Sequence, residues 1–361
     1  MLYIDFSAIK SGGGAQLAIN FLIKAAPKID CRIIISDKFP QLDLVPDSLD
    51  VIVLRSSWTG RISDEYVKIK KLLCSGDVVY TFFGPGLPKL KGVTQITGVA
   101  YPIVCNYDSR YWYRHRKSVT LPKRILNKAR EFRLKKADFL IFETEIMRSR
   151  FCATHRFDYA KTAVVPPTPT GFLKANERSI ASKNINFLLL TGLDYHKNID
   201  LLLNALEKYD FNTCVSKPRF IISTTQEEFI RRFGDYSNKV LDYFDFTGKV
   251  ASTEIQRIYD KTDVVLNLAD LESFSNNYME AWLAKKNILS HDTDFARYIL
   301  GDSAWYVDAY DPLALQNIIV SICNSNLPDK PMITAGELNL NKLPSIDERV
   351  RKILSIIERF S

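Results

Sequence analysis

The run Asp263-Val-Val-Leu-Asn-Leu268, followed by Leu271-Glu-Ser-Phe-Ser-Asn-Asn-Tyr-Met-Glu280-Ala-Trp-Leu283 and then Asn287-Ile-Leu-Ser290, decides how the chain is read. Its first and last parts are apolar and of strand length, and helix formers from Tyr278 to Lys285 lie between them, so the order is strand, loop, helix, strand. Ser275 and Asn276 are residue types that cap helix N-termini. The helix therefore opens there, leaving Glu272 on the loop and Glu280 about one turn inside. On one continuous helix the two carboxylates would point about 80° apart, so they are expected to do different jobs. Free backbone N–H groups at the helix start favour an anion by about 0.3–1 kcal/mol, and phosphate is the natural candidate.

Working outward, apolar runs at 3–6, 32–35, 51–54, 77–82, 94–99, 139–142 and 162–165 alternate with helical patterns at 15–26, 63–73, 121–136 and 145–153. This predicts a largely parallel α/β sheet. Pro166-Pro-Thr-Pro-Thr-Gly171 can continue neither a helix nor a central strand and marks a boundary. A second alternating series follows, with strands at 186–191, 220–224, 243–247, 263–268, 287–290 and 304–307 and helices near 199–208, 226–233, 252–260, 277–285, 294–299 and 312–323. The reading is two doubly wound Rossmann-like domains, 1–168 and 169–344, with an amphipathic terminal helix in 345–361 packing back on the first. Ligands of such sheets lie beyond the carboxyl ends of the strands, which places the expected site in the cleft the two domains face.

With 361 residues, 46% apolar and 25% charged, the composition is that of a folded globular protein of two domains. No stretch has the length of a spanning helix and the N-terminus lacks a signal-peptide pattern, so a cytoplasmic protein is expected. The six cysteines have no metal-ligand spacing and read as buried free thiols; no metal site is expected. The net charge of +8 is concentrated between Arg110 and Arg156, where Tyr111-Trp-Tyr-Arg-His-Arg-Lys117 and Arg130-Glu-Phe-Arg-Leu-Lys-Lys136 lie. That segment reads either as a solvated face or as a patch for anionic lipid or a phosphate-bearing acceptor, the chain then being peripheral on the inner face of the cell membrane. Nucleic acid is not expected, because no recognition motif accompanies the charge.

Other loops carry chemistry-bearing residues at strand ends. Ser11-Gly-Gly-Gly-Ala15 follows the first strand, and is either a flexible turn or a place where a ligand approaches the backbone closely. Its glycines do not have the dinucleotide spacing, which disfavours NAD. Thr191-Gly-Leu-Asp-Tyr-His-Lys-Asn198 offers Lys197 to a diphosphate, or simply to solvent. His196 and His291 each read as a proton donor or as a structural hydrogen-bonding histidine. Thr247-Gly-Lys249 ends another strand, and Gly248 there is either a turn residue or an opening for a nucleobase.

Taken together, Gly12–Gly14, His196-Lys-Asn198, Thr247-Gly-Lys249, Glu272-Ser-Phe-Ser-Asn through Glu280-Ala, and Asp292-Thr-Asp-Phe-Ala-Arg-Tyr-Ile resemble the retaining glycosyltransferases of the family 4 type, which have the B-type glycosyltransferase (GT-B) architecture. The resemblance implies transfer of a sugar from a nucleoside diphosphate sugar to a glycan or lipid-linked oligosaccharide acceptor, with retention, in the biosynthesis of a cell-surface polysaccharide such as lipopolysaccharide or capsule. No other cofactor is implied. It assigns Glu272 to the donor sugar and Lys197 to the diphosphate as the catalytic pair, and Glu280 to the ribose hydroxyls. Phe274, Ser275 and Asn276 would meet phosphate or sugar through their backbone, and Gly13 and Gly14 would approach the donor phosphate. Two positions depart from the family: Gly192 stands where an arginine is frequent, with Lys249 assigned as the second cation, and Tyr101 lies near the place of a frequent histidine. Two alternatives stay open, a nucleotide-sugar epimerase on the same fold and, from these departures, a catalytically degenerate nucleotide-sugar-binding subunit.

Overall fold

The computed structural model describes residues 1–9, 13–25, 28–40, 49–169, 173–175, 184–209, 211, 214–234, 236, 238–251 and 254–360. Ser11, Gly12 and Gly171, named above, lie outside the described residues. The chain divides into two compact units, one of Met1–Asp108, Trp112–Thr168 and Leu343–Ser361, the other of Ser109–Tyr111 and Pro169–Lys342.

In the first unit β1 (Leu2–Asp5), β2 (Cys31–Ser36), β3 (Asp50–Leu54), β4 (Val78–Thr81), β5 (Thr94–Val99), β6 (Phe139–Phe142) and β7 (Thr162–Val164) form one sheet in the order β3-β2-β1-β4-β5-β6-β7. Every pair is parallel. Parallel sheets are covered on both faces, and β4 and β6 are accordingly buried at every residue. The helix Gly13–Ala25 packs Leu17 and Phe21 into the same core as Val350, Ile353 and Ile357 of the terminal helix Ile346–Glu358. That helix opens on a capping box in which Ser345 and Glu348 satisfy each other's backbone N–H groups. Its buried Arg349 donates to the carbonyl of Val165 at 2.9 Å.

The helix expected at 63–73 begins earlier, and it is broken: Trp58–Asp64 is α-helical, Glu65–Ile69 is a π-turn, and Lys70–Leu72 returns to α. The reason is electrostatic. Glu65 is drawn inward to meet Arg61 at 2.9 Å and Arg133 at 2.7 Å, while Asp64 takes the backbone N–H and guanidinium of Arg55. The hydrogen bonds from Arg55, with the charge of Lys68, hold the Asp64 carboxyl down at about 2.

The second unit holds β8 (Asn184–Leu189), β9 (Lys217–Ile222), β10 (Phe244–Phe246), β11 (Val264–Asn267), β12 (Asn287–His291) and β13 (Trp305–Val307) in the order β10-β9-β8-β11-β12-β13. All pairs are parallel. This is the strand order of a dinucleotide-type doubly wound sheet, with its topological switch between β8 and β11. Helices Ile199–Lys208, Gln226–Phe233 and Pro312–Cys323 end where their sequence patterns end. The helix expected at 252–260 runs Ile255–Lys261, and 252–253 lie outside the described residues. The helix Lys330–Asn341 has no counterpart in the sequence pattern, because Pro331 reads as a breaker. Here it sits in the first turn, where its missing N–H costs nothing, and Asp329 caps Met332.

Candidate active site

Two loops leave the sheet of the second unit at its switch point and are tied to each other. The first follows β8 and ends in a short 3₁₀ turn, Tyr195–Lys197, closed by Asn198 at φ +55°. The second follows β11 and runs to Ser275, the N-cap of the helix Asn276–Leu283. Asn198 Nδ2 donates to the carbonyl of Leu268 at 2.9 Å, and the Asp270 amide donates to the carbonyl of His196 at 2.9 Å. Asn277 Nδ2 reaches back to Leu190 O at 2.8 Å. On this frame Lys197 Nζ meets Glu272 Oε1 at 2.5 Å, with both side chains partly buried. Residues assigned separately to diphosphate and sugar are thus each other's partner.

The helix beyond carries the other carboxylate on its inner side. Glu280 is buried and accepts a 2.9 Å hydrogen bond from the Tyr259 hydroxyl, supplied by the helix Ile255–Lys261. Burial pushes the Glu280 carboxyl up to about 7, against the opposing effect of that hydrogen bond. Ser275 is buried and its hydroxyl makes no cap bond, so the Asn276 and Asn277 amides have no cap from it, while the Tyr278 amide donates to the Ser275 carbonyl at 3.1 Å. Phe274 stands edge-on to Trp282 with centroids 6.3 Å apart, which sets the loop's approach to the helix. Among the described residues no group of three or more His, Cys, Asp or Glu could hold a metal ion.

The remaining candidates are placed as follows. Gly248, after β10, has φ +70° and donates to Thr224 O at 3.0 Å; a Cβ would meet only ordinary contact, so its backbone angle rather than crowding calls for glycine. Lys249 beside it is exposed and follows the edge strand, two strands from β8 and so about 10 Å across the sheet. Gly13 and Gly14 open the helix Gly13–Ala25 of the first unit; a Cβ on Gly14 would meet Phe83 at 3.7 Å, which is acceptable packing. Gly192 has open space around it. A guanidinium does reach its loop from elsewhere: Arg232 lies 3.6 Å from the centroid of the Tyr195 ring and donates to Leu193 O at 2.9 Å. His196 is partly buried, and its ring stands edge-on to Tyr111 with centroids 6.5 Å apart. His291 closes β12, with Nδ1 accepting from the Ala309 amide at 3.1 Å and Nε2 directed at Asp270 Oδ1, 3.4 Å away. Asp270 also accepts from the Tyr310 hydroxyl at 2.8 Å, so the geometry of His291 is that of a structural histidine bracing the Glu272 loop. Tyr259, Arg232 and Asp270 escape sequence reasoning, since nothing local distinguishes them from neighbouring tyrosines, arginines and aspartates.

Comparison with known proteins accords with this geometry. Residues 185–325, most of the second unit, match the family model described as glycosyl transferases group 1. No curated protein matches the chain in sequence. Among solved structures, sucrose-phosphate synthase from Thermosynechococcus elongatus superposes with a TM-score of 0.72 at 12% identity, covering 99% of this chain and 98% of that one. WaaG, a glycosyltransferase involved in lipopolysaccharide biosynthesis, gives 0.69 at 13% identity, covering 99% of both chains. HepE of Anabaena, solved in complex with UDP-glucose, gives 0.69 at 13% identity, covering 98% and 99%. The fold is the two-domain GT-B architecture. Within that fold, the similarity to the group 1 glycosyltransferase model is confined to residues 185–325 of the second unit.

Proposed function

We propose that this chain moves a sugar from a nucleoside diphosphate sugar to a glycan or lipid-linked acceptor with retention of configuration, in the synthesis of a cell-surface polysaccharide. The Lys197–Glu272 pair at the β8/β11 switch point carries the reading, because it sets a cation and a carboxylate together beside an uncapped helix start. HepE with bound UDP-glucose supports the donor class, and the involvement of WaaG in lipopolysaccharide biosynthesis supports the setting. In the transfer, the bond from the anomeric carbon to the diphosphate oxygen breaks and its electron pair leaves on the diphosphate. Lys197 and the N–H groups at Asn276 and Asn277 take up that charge. The acceptor hydroxyl oxygen forms the new bond to the anomeric carbon and passes its proton to the departing diphosphate. Glu272 holds the sugar; a trapped glycosyl adduct on it would make it the nucleophile, and none would leave ion-pair chemistry on one face. Incubating the purified chain with a panel of nucleotide sugars and acceptors tests the reading. Acceptor-dependent nucleotide release is expected, whereas donor interconversion without acceptor would mean an epimerase, and binding without turnover a degenerate subunit.

Glu280 is assigned the ribose, whose hydroxyls need an ionised carboxylate to accept them. With the free carboxyl at about 7, a proton must leave before the donor binds, and the bound form has the lower pKa. Affinity for UDP-glucose, which has no phosphate titrating in this range, should therefore rise about tenfold from pH 6 to pH 8. Calorimetry of wild type and Glu280→Gln checks this: the variant's profile should be flat, and a flat wild-type profile would remove Glu280 from the ribose.

The acceptor side is assigned to an anionic membrane surface reached through the basic segment, the protein being cytoplasmic and peripheral. The helix Lys117–Leu134 supports it by being inside out: it buries Thr120, Asn127 and Glu131 while Leu121, Ile125 and Phe132 are 57%, 64% and 65% exposed. At about 100° per residue those three share a 40° stripe, flanked by Lys117, Lys128, Lys135 and Lys136. Arg133 does not belong to this surface, since it pairs with the buried Glu65. Leu121→Glu with Ile125→Glu should weaken binding to phosphatidylglycerol vesicles at least about tenfold. Equal binding of wild type to neutral vesicles would remove the anionic preference, and a variant that binds as wild type does would remove this helix face as the membrane contact.

A further inference from the structure

Tyr259 is the one buried residue of the helix Ile255–Lys261, and it is 0% exposed. A phenylalanine would fill the same space, whereas a buried phenol is stable there only with a hydrogen-bond partner. That partner is Glu280 Oε2, at 2.9 Å. The second oxygen, Glu280 Oε1, accepts no hydrogen bond from the described residues and keeps some accessible surface, although the residue as a whole is only 7% exposed. One carboxylate oxygen is therefore committed to the protein and the other is open. Glu280 lies one turn after Asn276 on the same helix face, and side chains on a helix lean toward its N-terminus. The carboxylate is thus carried toward the helix start, where the Asn276 and Asn277 amides have no cap from Ser275.

We propose that Tyr259 is a positioning residue for the donor: by holding Glu280 Oε2 it fixes the plane of the carboxylate and leaves Oε1 to accept from the ribose hydroxyls. Tyr259 itself touches no substrate atom. The inference rests on the assignment of Glu280 to the ribose.

The same bond acts on charge. A hydroxyl donated to a carboxylate favours the ionised form, against the burial that pushes the Glu280 carboxyl up to about 7. Tyr259 stays neutral, because burial first and the Glu280 charge next raise its own pKa well above the ordinary value. The other titratable groups on this helix and its neighbours are engaged elsewhere or exposed. Tyr278 shares a hydrogen bond with Ser290 at 3.2 Å, and β11 carries no such group. On the helix of Tyr259, Arg257 and Lys261 are exposed and Asp260 accepts from the Gln256 amide at 2.8 Å. On the helix Lys330–Asn341, Lys330 is exposed and Glu337 meets Lys285 at 2.8 Å; His291 of β12 is directed at Asp270.

Calorimetric titration of the full chain with UDP-glucose between pH 6 and pH 9 tests the proposal in wild type, Tyr259→Phe and Glu280→Gln, with the unfolding midpoint of each measured alongside. Affinity of the wild type should rise with a midpoint near pH 7. Tyr259→Phe keeps the packing and removes the hydroxyl, so it should move that midpoint up by about one pH unit and weaken binding about tenfold at pH 7. At pH 9, where the carboxyl is ionised in both proteins, a loss of about two- to threefold should remain from the carboxylate that is now free to turn. A merely structural tyrosine would lower the unfolding midpoint without moving the pH midpoint. A Tyr259→Phe midpoint equal to that of wild type, with Glu280→Gln flat, overturns the inference and leaves Glu280 on the ribose. A wild-type profile that is itself flat removes Glu280 from the ribose, and Tyr259 with it.

Discussion

Lys197→Ala should lower kcat for donor-dependent transfer by about 10²- to 10³-fold, the loss seen when one preorganised group that stabilises leaving-group charge is removed. The expectation comes from where the ammonium sits. It is held at 2.5 Å from Glu272 on a turn that Asn198 locks to the β11 loop, so it needs little reorganisation to meet a diphosphate beside the uncovered start of the Asn276–Leu283 helix. The same variant leaves the Glu272 carboxylate without its cation in a partly buried site, so the loop will lose order as well. Lys197→Arg separates the two effects: it keeps a charge for Glu272 but presents a planar fork where a compact ammonium fitted. Loop order should be restored and kcat only in part. Steady-state kinetics of both variants, with the Glu272→Gln single and double mutants, give the coupling. A Lys197→Ala enzyme with full kcat would take the diphosphate away from this lysine.

Gly98→Ala should destabilise the first unit by about 3 kcal/mol or more, enough to leave little soluble protein. Gly98 lies in β5 with its hydrogen directed at the neighbouring chain, and a Cβ there would be 1.9 Å from the carbonyl oxygen of Phe82 and 3.0 Å from its carbonyl carbon. Both atoms are backbone and cannot rotate away. Phe82 cannot retreat either: its amide donates to Asp5 O at 3.0 Å, and its ring is buried among Phe6, Phe21 and Tyr80. The chain would have to part at the carboxyl ends of β4 and β5. Gly14→Ala is the matched control in the same unit, since its Cβ meets only Phe83 at 3.7 Å. Urea unfolding of the two variants measures the difference; a Gly98→Ala midpoint equal to that of Gly14→Ala would contradict the close approach.

What could be read in advance tracks how local its cause is. Val78–Thr81 and Phe139–Phe142 are legible as strands because a strand covered on both faces is a short apolar run, whatever lies around it. The helix Gln226–Phe233 is legible because Thr225 and Glu228 carry its capping box in four residues. The π-turn at Glu65–Ile69 is not, since its cause includes Arg133, 68 residues away. Likewise Lys197 and Glu272 are each visible as candidates at strand ends, but their ion pair spans 75 residues. The bond from Tyr259 to Glu280 joins two helices that no sequence pattern aligns.

The sequence by itself determined two alternating α/β series and the strand–loop–helix unit that separates Glu272 from Glu280, because periodicity, caps and proline act over a few residues. Only the tertiary structure decided that Lys197 lies against Glu272 and that Glu280 is buried on Tyr259, titrating near 7. It alone decided that the helix Lys117–Leu134 turns Thr120, Asn127 and Glu131 inward together with Leu134. Distances across a sheet and the loss of water around a side chain depend on every element packed nearby, and no local stretch of chain encodes them.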